Sequence, residues 1–509
     1  MTDELAEFFD AMARTADHQA DRAALIDDDG TLTYRQMLAA VDARADALAA
    51  VGIGSGDRVA LIAENSSAFL LTAFAVWKAD AVLVTIYPSS AVDDLTYSID
   101  SADPALVLVD KYTEAAVARS ITDARPIARI DADSFEPPLA RRSTIANPDG
   151  LRAPLRLICY TSGTTSRPKA IMLSGLALLN GASTYADVWH LGDSDRTVVA
   201  LPMAWLFGLA STSMVTLFSG GTVIVLRRAH PGAICEAIAT HRATFLAGVT
   251  TMFAKLVGHL HALAERPDLT SLRLCISGGE PRNETVFDEW TSLTSCAVLD
   301  TFCSSECFPL VTYDPTTDPV PVQGSAGKLV PGAHMRILDA DGHDVADGEV
   351  GEALVRGPGL MLGYWGDEQG TAAALTADGY YRQKDLVRVD TSGYVYVMGR
   401  LSDMIIRGGS NVSPAEVERV LRLHPGVADA AVVGLPDDTY GQRVVAALVT
   451  ATDDTVDTEL LTRFAREHLA AYKVPTAYVV VEALPQNTTT GKVDRRRVAA
   501  ALQEQEIHS

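Results

Sequence analysis

The sequence contains few cysteines, few aromatic residues and too little positive charge to balance its acids. Its 509 residues include six cysteines, 6% aromatic residues, and 42 Lys and Arg against 65 Asp and Glu, which gives a formal net charge of -23. No two cysteines are spaced as C-x-x-C, so no zinc site is predicted, and reduced thiols, as in a cytoplasm, are expected. Nonspecific binding to nucleic acid depends on clustered Lys and Arg, so such a partner is excluded, although a small anion can still be held locally.

Long uninterrupted hydrophobic runs are also missing. The most apolar stretch, "AFLLTAFAVWKADAVLVTIY", carries Lys78 and Asp80 in its middle, which favours a buried helix followed by a strand over a membrane span. The N-terminal "MTDELAEFFDAMARTADHQ" is acidic and has no apolar segment, so no signal peptide is predicted. We therefore expect a cytoplasmic protein with no membrane partner.

The sequence does contain alternating strand and helix patterns. Runs such as "DRVALIAEN", "PALVLVD", "RTVVALP" and "LRLCISGG" are separated by helical stretches, which predicts an α/β fold with largely parallel sheets. From "HMRILDADGHDV" to "GYVYVMGR" the period shifts towards two, which indicates a small β region. Ser413, Pro414 and Glu416 then begin a new helix–strand unit. Since the chain is too long for one core, we predict a large domain over 1–399 and a small α+β domain over 400–509.

The stretch "YTSGTTSRPKA", residues 160–170, follows the apolar run "LRLICY". Its hydroxyls and backbone N–H groups can donate to phosphate oxygens, and Lys169 adds a mobile positive charge. The G-x-x-x-x-G-K-[ST] spacing of a Walker A loop is absent. Taken alone, the stretch is either a phosphate loop or a surface loop rich in Ser and Thr.

Further motifs follow in order along the chain. They are "LPMAWLFGLAS", "FLAGVTTMFAKL", "SGGEP", "DTFCSSE", "GSAGKLVPG", "GEALVRGPGLMLGYW", "GYYRQKDLVRVDTSGYVYVMGR", "GRLSDMIIRGGSNVSPAEVE" and "LPQNTTTGKVDRRRV". With these motifs the chain resembles the adenylate-forming superfamily, which includes acyl-CoA synthetases, adenylation domains of nonribosomal peptide synthetases, and luciferases. The resemblance covers nearly the whole chain.

The resemblance implies that ATP and Mg²⁺ are used to activate an acid. It implies that Lys492 reaches the carboxylate, that Glu306 holds Mg²⁺, that Ser305 approaches the α-phosphate, and that Thr161 takes part in catalysis. Attack of a carboxylate on a phosphate brings two anions together. Cations are therefore needed to screen the two charges, and hydrogen-bond donors are needed to hold the charge that develops. The residues implied to bind the nucleotide are Thr161, Ser162, Gly163, Thr164, Thr165, Lys169, Gly279, Glu280, Pro281, Asp300, Thr301, Phe302, Asp385, Val397 and Arg400.

The same resemblance suggests a pocket for the acid and a hinge. The predicted lining residues are Trp205, Phe207, Val249, Gly279, Cys303, Cys307 and Phe308. They indicate an apolar, flat cavity in which the two thiols act as small hydrophobic groups, because no His is adjacent to activate them. No acid occurs at Trp205–Leu206, which disfavours a simple α-amino acid, whereas Asp300 and Glu280 are candidates to meet a substrate amine or the adenine amino group. Ser402 occupies the position about which the small domain is expected to rotate.

Several positions depart from the family pattern. The family usually has Gly where this chain has Ser166, Ala170 and Cys303, and Thr-Gly where it has Gln383 and Lys384. The family commonly has Asp or Lys where this chain has Ser402, and Trp205 stands where a His or aromatic gate is frequent. Glycine is used where backbone approaches a ligand. The side chains of Ser166 and Cys303 are therefore expected to narrow the space beside the phosphates or the acyl carbonyl. The pattern predicts an active enzyme with an unusual acid or an unusual second substrate.

Three functions compete. The first is a ligase that forms an acyl adenylate and transfers the acyl group to coenzyme A or to the phosphopantetheine of an acyl carrier protein. The second uses a nitrogen partner, either in an amide ligase or in a diazotase-type enzyme that activates nitrite to act on an aromatic amine. The third is a noncatalytic relative, which the retention of Lys492, Glu306, Asp385 and Lys169 disfavours. The acid, the acceptor and a homodimeric state stay open.

Overall fold

The structure is a computed structural model that describes residues 4–121, 123–132, 135–161, 168–408, 410–437, 439–451, 456–486 and 493–508. The strands in these residues are β1 (Ala23–Asp27), β2 (Gly30–Thr33), β3 (Arg58–Ile62), β4 (Val82–Thr85), β5 (Leu106–Val109), β6 (Ile127–Arg129), β7 (Leu155–Thr161), β8 (Lys169–Ser174), β9 (Arg196–Val199), β10 (Thr222–Val225), β11 (Phe245–Gly248), β12 (Leu274–Gly278), β13 (Val298–Ser304), β14 (Cys307–Thr312), β15 (Lys328–Leu329), β16 (His334–Leu338), β17 (Gly351–Arg356), β18 (Gly359–Leu360), β19 (Gly363–Tyr364), β20 (Tyr381–Val389), β21 (Val395–Arg400), β22 (Ile405–Arg407), β23 (Ser410–Val412), β24 (Val427–Asp437), β25 (Gly441–Thr450) and β26 (Ala477–Val480).

The helices are α1 (Ala6–His18), α2 (Tyr34–Ala50), α3 (Ser67–Lys78), α4 (Val92–Ala102), α5 (Glu114–Ser120), α6 (Gly175–Val188), α7 (Leu206–Gly208), α8 (Val215–Phe218), α9 (Pro231–His241), α10 (Thr250–Ala262), α11 (Glu284–Thr294), α12 (Glu368–Ala374), α13 (Pro414–Arg422), α14 (Thr458–His468) and α15 (Arg495–His508). A π-helix, Leu209–Met214, joins α7 to α8, and short 3-10 helices occur at Leu401–Asp403 and Ala471–Lys473. Within the described ranges, no helix combines the length and the apolar character that a bilayer crossing requires.

Two large sheets form the N-terminal part of the described chain. One has the order β15-β14-β13-β12-β11-β9-β10-β1-β2, with β18 added to β14, and the other has the order β19-β8-β7-β4-β3-β5-β6. The central pairs, such as β12 with β13 and β4 with β7, are parallel, whereas β13–β14 and β7–β8 are antiparallel hairpins. The largely parallel α/β fold predicted from the sequence is therefore confirmed, with hairpins at the motifs predicted to bind phosphate and metal.

Two local predictions, a buried helix followed by a strand and a helix that begins after Ser413, are confirmed by the structure. The Ser66 hydroxyl caps α3 by accepting from the Phe69 N–H, and the buried helix leads into strand β4 as expected. Ser413 caps α13 by accepting from the Glu416 N–H. The motif "FLAGVTTMFAKL" is a strand followed by a helix, because its first four residues form β11 and Thr250 begins α10.

The remaining strands form two smaller sheets. The predicted small β region is a four-stranded antiparallel sheet with the order β16-β17-β20-β21. The strands after Arg400 form a separate sheet with the order β23-β22-β25-β24, and β26 pairs with β25. The apolar clusters of this last part contain only residues beyond 400, whereas the clusters of the large sheets contain only residues before it. The domain boundary between 399 and 400 stays a proposal, which this separation of cores supports.

The helical turn after Trp205 depends on a glycine. A Cβ atom at Gly208 would lie 2.3 Å from the Pro202 carbonyl oxygen, well inside any real contact. The Thr212 hydroxyl donates to the Phe207 carbonyl at 2.6 Å, and the Ser213 hydroxyl donates to the Gly208 carbonyl at 2.7 Å. These bonds satisfy carbonyls in the wide π-helical turn and fix Phe207 at the start of the segment.

Substitution of Gly208 by Ala is expected to destabilise the protein by about 1–3 kcal/mol, because backbone must move to make room for the methyl group. The matched control is Gly258→Ala in α10, where an added Cβ meets no atom within 4 Å and helix propensity gains about 0.5–1 kcal/mol. Thermal unfolding should therefore show a lower Tm for G208A and an unchanged or higher Tm for G258A. A G208A variant as stable as wild type would contradict the steric argument.

Candidate active site

The hairpin of β7 and β8 carries the phosphate motif. Thr161 pairs with Lys169 in the antiparallel register, and the Thr161 hydroxyl lies 3.5 Å from the Lys169 carbonyl oxygen. Lys169 is exposed. The predicted loop residues Ser162, Gly163, Thr164 and Thr165, together with the departure Ser166, lie outside the described residues, so their roles stay predictions.

Glu306 lies in a tight hairpin turn. Ser304 pairs with Cys307 across β13 and β14, which leaves Ser305 and Glu306 as the two turn residues, both half-buried. Glu306 accepts a hydrogen bond from the Tyr364 hydroxyl at 3.0 Å. A hairpin turn presents its side chains outward from the sheet end, so the sequence motif "CSSEC" places a carboxylate at the edge where strands of the first sheet finish.

Tyr364 connects Glu306 to Lys169. The Lys169 ammonium lies 4.8 Å from the centre of the Tyr364 ring, while the hydroxyl of the same ring binds Glu306. Burial and the charge of Glu306 raise the pKa of Tyr364 and also of Tyr381, so both phenols remain neutral hydrogen-bond donors. A cation and a carboxylate thus face opposite parts of one aromatic ring.

Asp300, at β13, is paired with a buried arginine. The Arg282 guanidinium binds its carboxylate and also donates to Glu284 Oε2 at 2.7 Å and to the Val298 carbonyl at 2.9 Å. Burial raises the pKa of Asp300 to about 6, and Arg282 opposes that rise. The carboxylate predicted to meet an amine therefore already has a cationic partner in this structure, and its contact with adenine stays a prediction.

The loop after β12 is shaped by local bonds. Glu280 accepts from the Thr251 N–H at 2.8 Å and the Thr251 hydroxyl at 3.2 Å, near the start of α10, where free N–H groups need acceptors. Pro281 accepts from the Thr250 hydroxyl at 2.9 Å. Gly279 has φ +81° with open space beside it, which suits a close approach of a ligand to backbone. The structure gives Glu280 a helix-capping contact that the sequence interpretation did not include.

Asp385 and Arg400 face each other across β20 and β21. They are paired in register, and Arg400 Nε lies 3.3 Å from Asp385 Oδ1. Asp385 is buried and Arg400 is about half exposed. Val397 lies on the same strand as Arg400 and is partly exposed. The family resemblance implies that Asp385 accepts from the ribose hydroxyls and that Arg400 reaches the ribose or the phosphates. The two residues are adjacent at the end of the small β sheet, and their roles stay predictions.

The predicted pocket residues divide into two groups. Trp205, Phe207, Val249 and Cys303 are half-buried and Gly279 is exposed, while Phe302, predicted to bind the nucleotide, is also half-buried. Cys307 and Phe308 are completely buried. The lining role of all of them stays a prediction, but the half-buried group has the surface that a ligand needs.

Two neighbours of the pocket residues were not anticipated. The ring of Tyr87 lies 5.1 Å from that of Trp205. The Tyr185 hydroxyl contacts Thr301 Oγ1 at 2.8 Å and Cys303 Sγ at 3.7 Å. Burial raises the pKa of Cys303 to about 11 and also raises that of Cys307, which agrees with thiols that act as packing groups.

Two predicted residues belong to the last part of the chain. Ser402 is exposed in the 3-10 turn after Arg400, and its hydroxyl donates to Asp403 Oδ1 at 2.9 Å. Asp403 also lies 3.3 Å from Arg495. Lys492 lies outside the described residues, so its catalytic role stays a prediction, as does the hinge at Ser402.

The site contains residues that the sequence interpretation did not assign. Tyr364, Tyr381, Arg282 and Tyr185 each contact a predicted residue. Tyr364 stands in the motif "GYW" and Arg282 directly follows "SGGEP", so their place beside matched motifs was the available signal. Their partners are distant in sequence and could not be identified from spacing.

Comparison with known proteins identifies the family. Residues 12–365 match the family described as AMP-binding enzyme, and residues 416–492 match the AMP-binding enzyme C-terminal domain. The chain belongs to this family. The predicted superfamily and the α/β fold class are confirmed.

Individual relatives cover almost the whole chain. It is 34% identical to a feruloyl-CoA synthase of an Amycolatopsis species over 466 residues, which cover 91% of this chain and 92% of that protein. It is 32% identical to an indoleacetate–CoA ligase of Aromatoleum aromaticum over 503 residues, or 96% of both chains. Among solved structures, ATP-bound MatB from Rhodopseudomonas palustris is similar with a TM-score of 0.84 at 30% identity, over 97% of this chain and 98% of that one.

Removal of the Arg282 charge is expected to destabilise the protein increasingly as the pH rises. Arg282→Ala leaves the buried Asp300 carboxyl without its cation, which typically costs about 3–5 kcal/mol. The folded-state pKa of Asp300 lies above its ordinary value of 3.8, so the folded state holds the proton more tightly and stability falls between that value and the folded pKa. In R282A the cation that opposes the rise of the Asp300 pKa is lost. The loss of stability with rising pH therefore continues to higher pH than in the wild type.

Thermal unfolding at pH 5, 6, 7 and 8 measures this effect. The double variant R282A/D300N, which has no carboxyl at this position, should recover part of the Tm and lose the added pH dependence. A single variant whose Tm deficit is the same at every pH would contradict the assignment of the effect to Asp300.

Proposed function

We propose that this chain is an AMP-forming ligase that activates an aromatic carboxylic acid with ATP and transfers the acyl group to coenzyme A. The observation that carries the proposal is the contact of Lys169 and Glu306 with one ring, that of Tyr364. The cation proposed to bind phosphate and the carboxylate proposed to bind metal thus contact the same side chain, in a chain of the AMP-binding enzyme family.

The reaction requires groups that stabilise the negative charge on the phosphates. An oxygen of the acid forms a bond to the α-phosphorus while the bond from that phosphorus to the pyrophosphate oxygen breaks. Lys169 and the Thr161 hydroxyl are assigned to the departing pyrophosphate, where negative charge accumulates. The thiol of coenzyme A then attacks the acyl carbonyl, and AMP and a proton are released.

Mg²⁺ is proposed as the metal because the residues fit it. Glu306 offers a half-buried carboxylate, and oxygen ligands of this kind suit Mg²⁺ alongside substrate phosphates. When bound, Mg²⁺ neutralises charge on the phosphate oxygens. The Tyr364 hydroxyl donates to Glu306 Oε1 and would hold the carboxylate in place for a bound ion.

An aromatic acid and a thiol acceptor are supported by separate observations. Feruloyl-CoA synthase and indoleacetate–CoA ligase are both named for CoA chemistry on acids with aromatic rings. Trp205 and Phe207, which are predicted to line the acid pocket, are half-buried. The names of these relatives favour coenzyme A over a nitrogen partner. An acyl carrier protein and a homodimer stay open as partners.

Pyrophosphate release from Mg·ATP tests the proposal directly. Cinnamate-type and arylacetate-type acids, aliphatic acids, and nitrite with an aryl amine would each be supplied with and without coenzyme A. We expect aryl acids to release most pyrophosphate and to turn over many times only when coenzyme A is present. Turnover only with nitrite and an amine, or no turnover with any substrate, would contradict the proposal and favour the second or third function.

Lys492→Ala provides the catalytic control in the same assay. We expect a fall of about 100-fold or more in acyl adenylate formation, because a cation that acts on developing charge is lost. Thioester formation from supplied acyl adenylate should be retained. Lys473→Ala is the matched control, because Lys473 also belongs to the last part of the chain but is paired with Glu416 at 2.7 Å, and it should leave adenylation unchanged.

Tyr364→Phe is expected to lower kcat/KM for Mg·ATP about 10-fold. The variant keeps the ring beside Lys169 but loses the hydrogen bond that orients Glu306, and a bond to a charged group contributes about 1.5–3 kcal/mol. The Mg²⁺ concentration for half-maximal rate should rise in parallel.

A closely matched control exists elsewhere in the chain. Tyr394 donates to Asp318 at 2.6 Å, and the Lys328 ammonium lies 4.3 Å from the centre of its ring, so Tyr394→Phe removes an equivalent bond away from the site. It should leave the Mg²⁺ dependence unchanged. Equal effects of both variants would mean that the Tyr364 hydroxyl acts only on stability.

A further inference from the structure

Gln383 is a buried amide without a hydrogen-bond partner among the residues that the structure describes. It lies on β20 with 7% of its surface exposed. Among the residues that the structure describes, it is the one side chain for which two buried polar atoms, Oε1 and Nε2, both have no hydrogen-bond partner. Buried polar groups are normally satisfied, and each exception needs an explanation.

The backbone beside Gln383 is also unusual. The register of β17 and β20 shifts so that residues 383–385 stand opposite a single residue, Ala353. Lys384 in this bulge has φ +62°, a conformation that residues other than glycine rarely adopt. Bulges redirect side chains, and strain is commonly retained where it serves a site.

The position of Gln383 on the strand places it between two predicted ligand groups. Tyr381, Gln383 and Asp385 are buried, whereas the residues between them are half-buried or exposed. Tyr381 lies close enough to Glu306 for that charge to raise its pKa, and Asp385 faces Arg400 at 3.3 Å. The carboxamide therefore lies on the face that runs from the proposed metal carboxylate to the proposed ribose carboxylate.

The unpaired atoms indicate the chemistry of the missing partner. Oε1 needs a donor and Nε2 needs an acceptor, and a hydroxyl group supplies both. A phosphate oxygen accepts only and would leave Oε1 unpaired. Asp385 can only accept, so hydroxyls that donate to Asp385 would still need a donor for their oxygens, which the Nε2 hydrogens can provide.

We infer that the Gln383 carboxamide binds a ribose hydroxyl of the nucleotide, beside Asp385. The inference rests on the proposed function in that ATP is taken to be the nucleotide. The family pattern has Thr at this position. The inference therefore gives a role to one of the departures of this chain from that pattern.

Isothermal titration of ATP, 2′-deoxy-ATP and 3′-deoxy-ATP with Mg²⁺, without any acid, tests the inference. For Gln383→Leu we expect the Kd for ATP to rise about 10-fold, which corresponds to about 1.4 kcal/mol. The deoxynucleotide that lacks the contacted hydroxyl should bind the variant and the wild type with nearly equal affinity. The free variant should melt higher than wild type, because an unsatisfied buried amide has been removed.

Two further variants make the result decisive. Gln383→Met should behave as Gln383→Leu does, and it serves if the leucine variant does not fold. Gln442→Leu is the matched control, because Gln442 Oε1 already accepts from the Ile406 N–H at 2.7 Å. It should lower the Tm and leave ATP affinity unchanged.

Three outcomes would overturn the inference. One is unchanged ATP affinity in the Gln383 variants, and another is an equal loss of affinity for all three nucleotides, which would exclude the ribose hydroxyls. Wild-type protein that binds no ATP would overturn the proposed function itself, and the inference with it.

Discussion

The segment from Gly359 to Tyr364 is hydrogen-bonded to both large sheets, and the geometry of the site depends on it. Its first part pairs with β14 and its last part pairs with β8. Between them, the Met361 N–H donates to the Glu306 carbonyl at 2.7 Å. Because these are backbone bonds between rigid elements, the separation of the phosphate hairpin from Glu306 is fixed without relying on flexible side chains. At this separation the Tyr364 side chain is long enough to contact both Glu306 and Lys169.

The acidity of the chain makes the local pairing of charges important. With a net charge of -23, a polyphosphate is attracted only where cations are concentrated and carboxylates are already engaged. Glu306 is bound by a neutral phenol, Asp300 by Arg282 and Asp385 by Arg400. The phenol leaves the charge of Glu306 available to a metal, whereas the guanidinium of Arg282 neutralises Asp300. The partner of each carboxylate therefore determines whether its negative charge is neutralised within the protein.

The fold could be predicted from the sequence because its signals are local. Apolar runs of four or five residues and a cap such as Ser413 define elements without knowledge of distant residues. The family motifs indicated which side chains carry the chemistry, but not what they contact. The pairing of Asp300 with Arg282 and the contact of Tyr87 with Trp205 depend on how separate loops meet. Glu280 was interpreted as a ligand group because nothing in its spacing reveals that the start of α10 lies within reach.

The departures from the family pattern differ in their expected effect on the stability of the nucleotide-free protein. Cys303 replaces glycine but packs against Tyr185, so its added volume is filled by contacts. Ala170 is buried in the β7–β8 hairpin, where its carbonyl accepts from the Trp365 N–H at 2.9 Å. Gln383 and Lys384 bring unpaired polar atoms and a strained backbone with no compensating contact within the described residues. Local rules of this kind are typically broken at functional sites, so a contact of Gln383 with the nucleotide, as inferred above, would account for the change at 383, while packing accounts for those at 170 and 303.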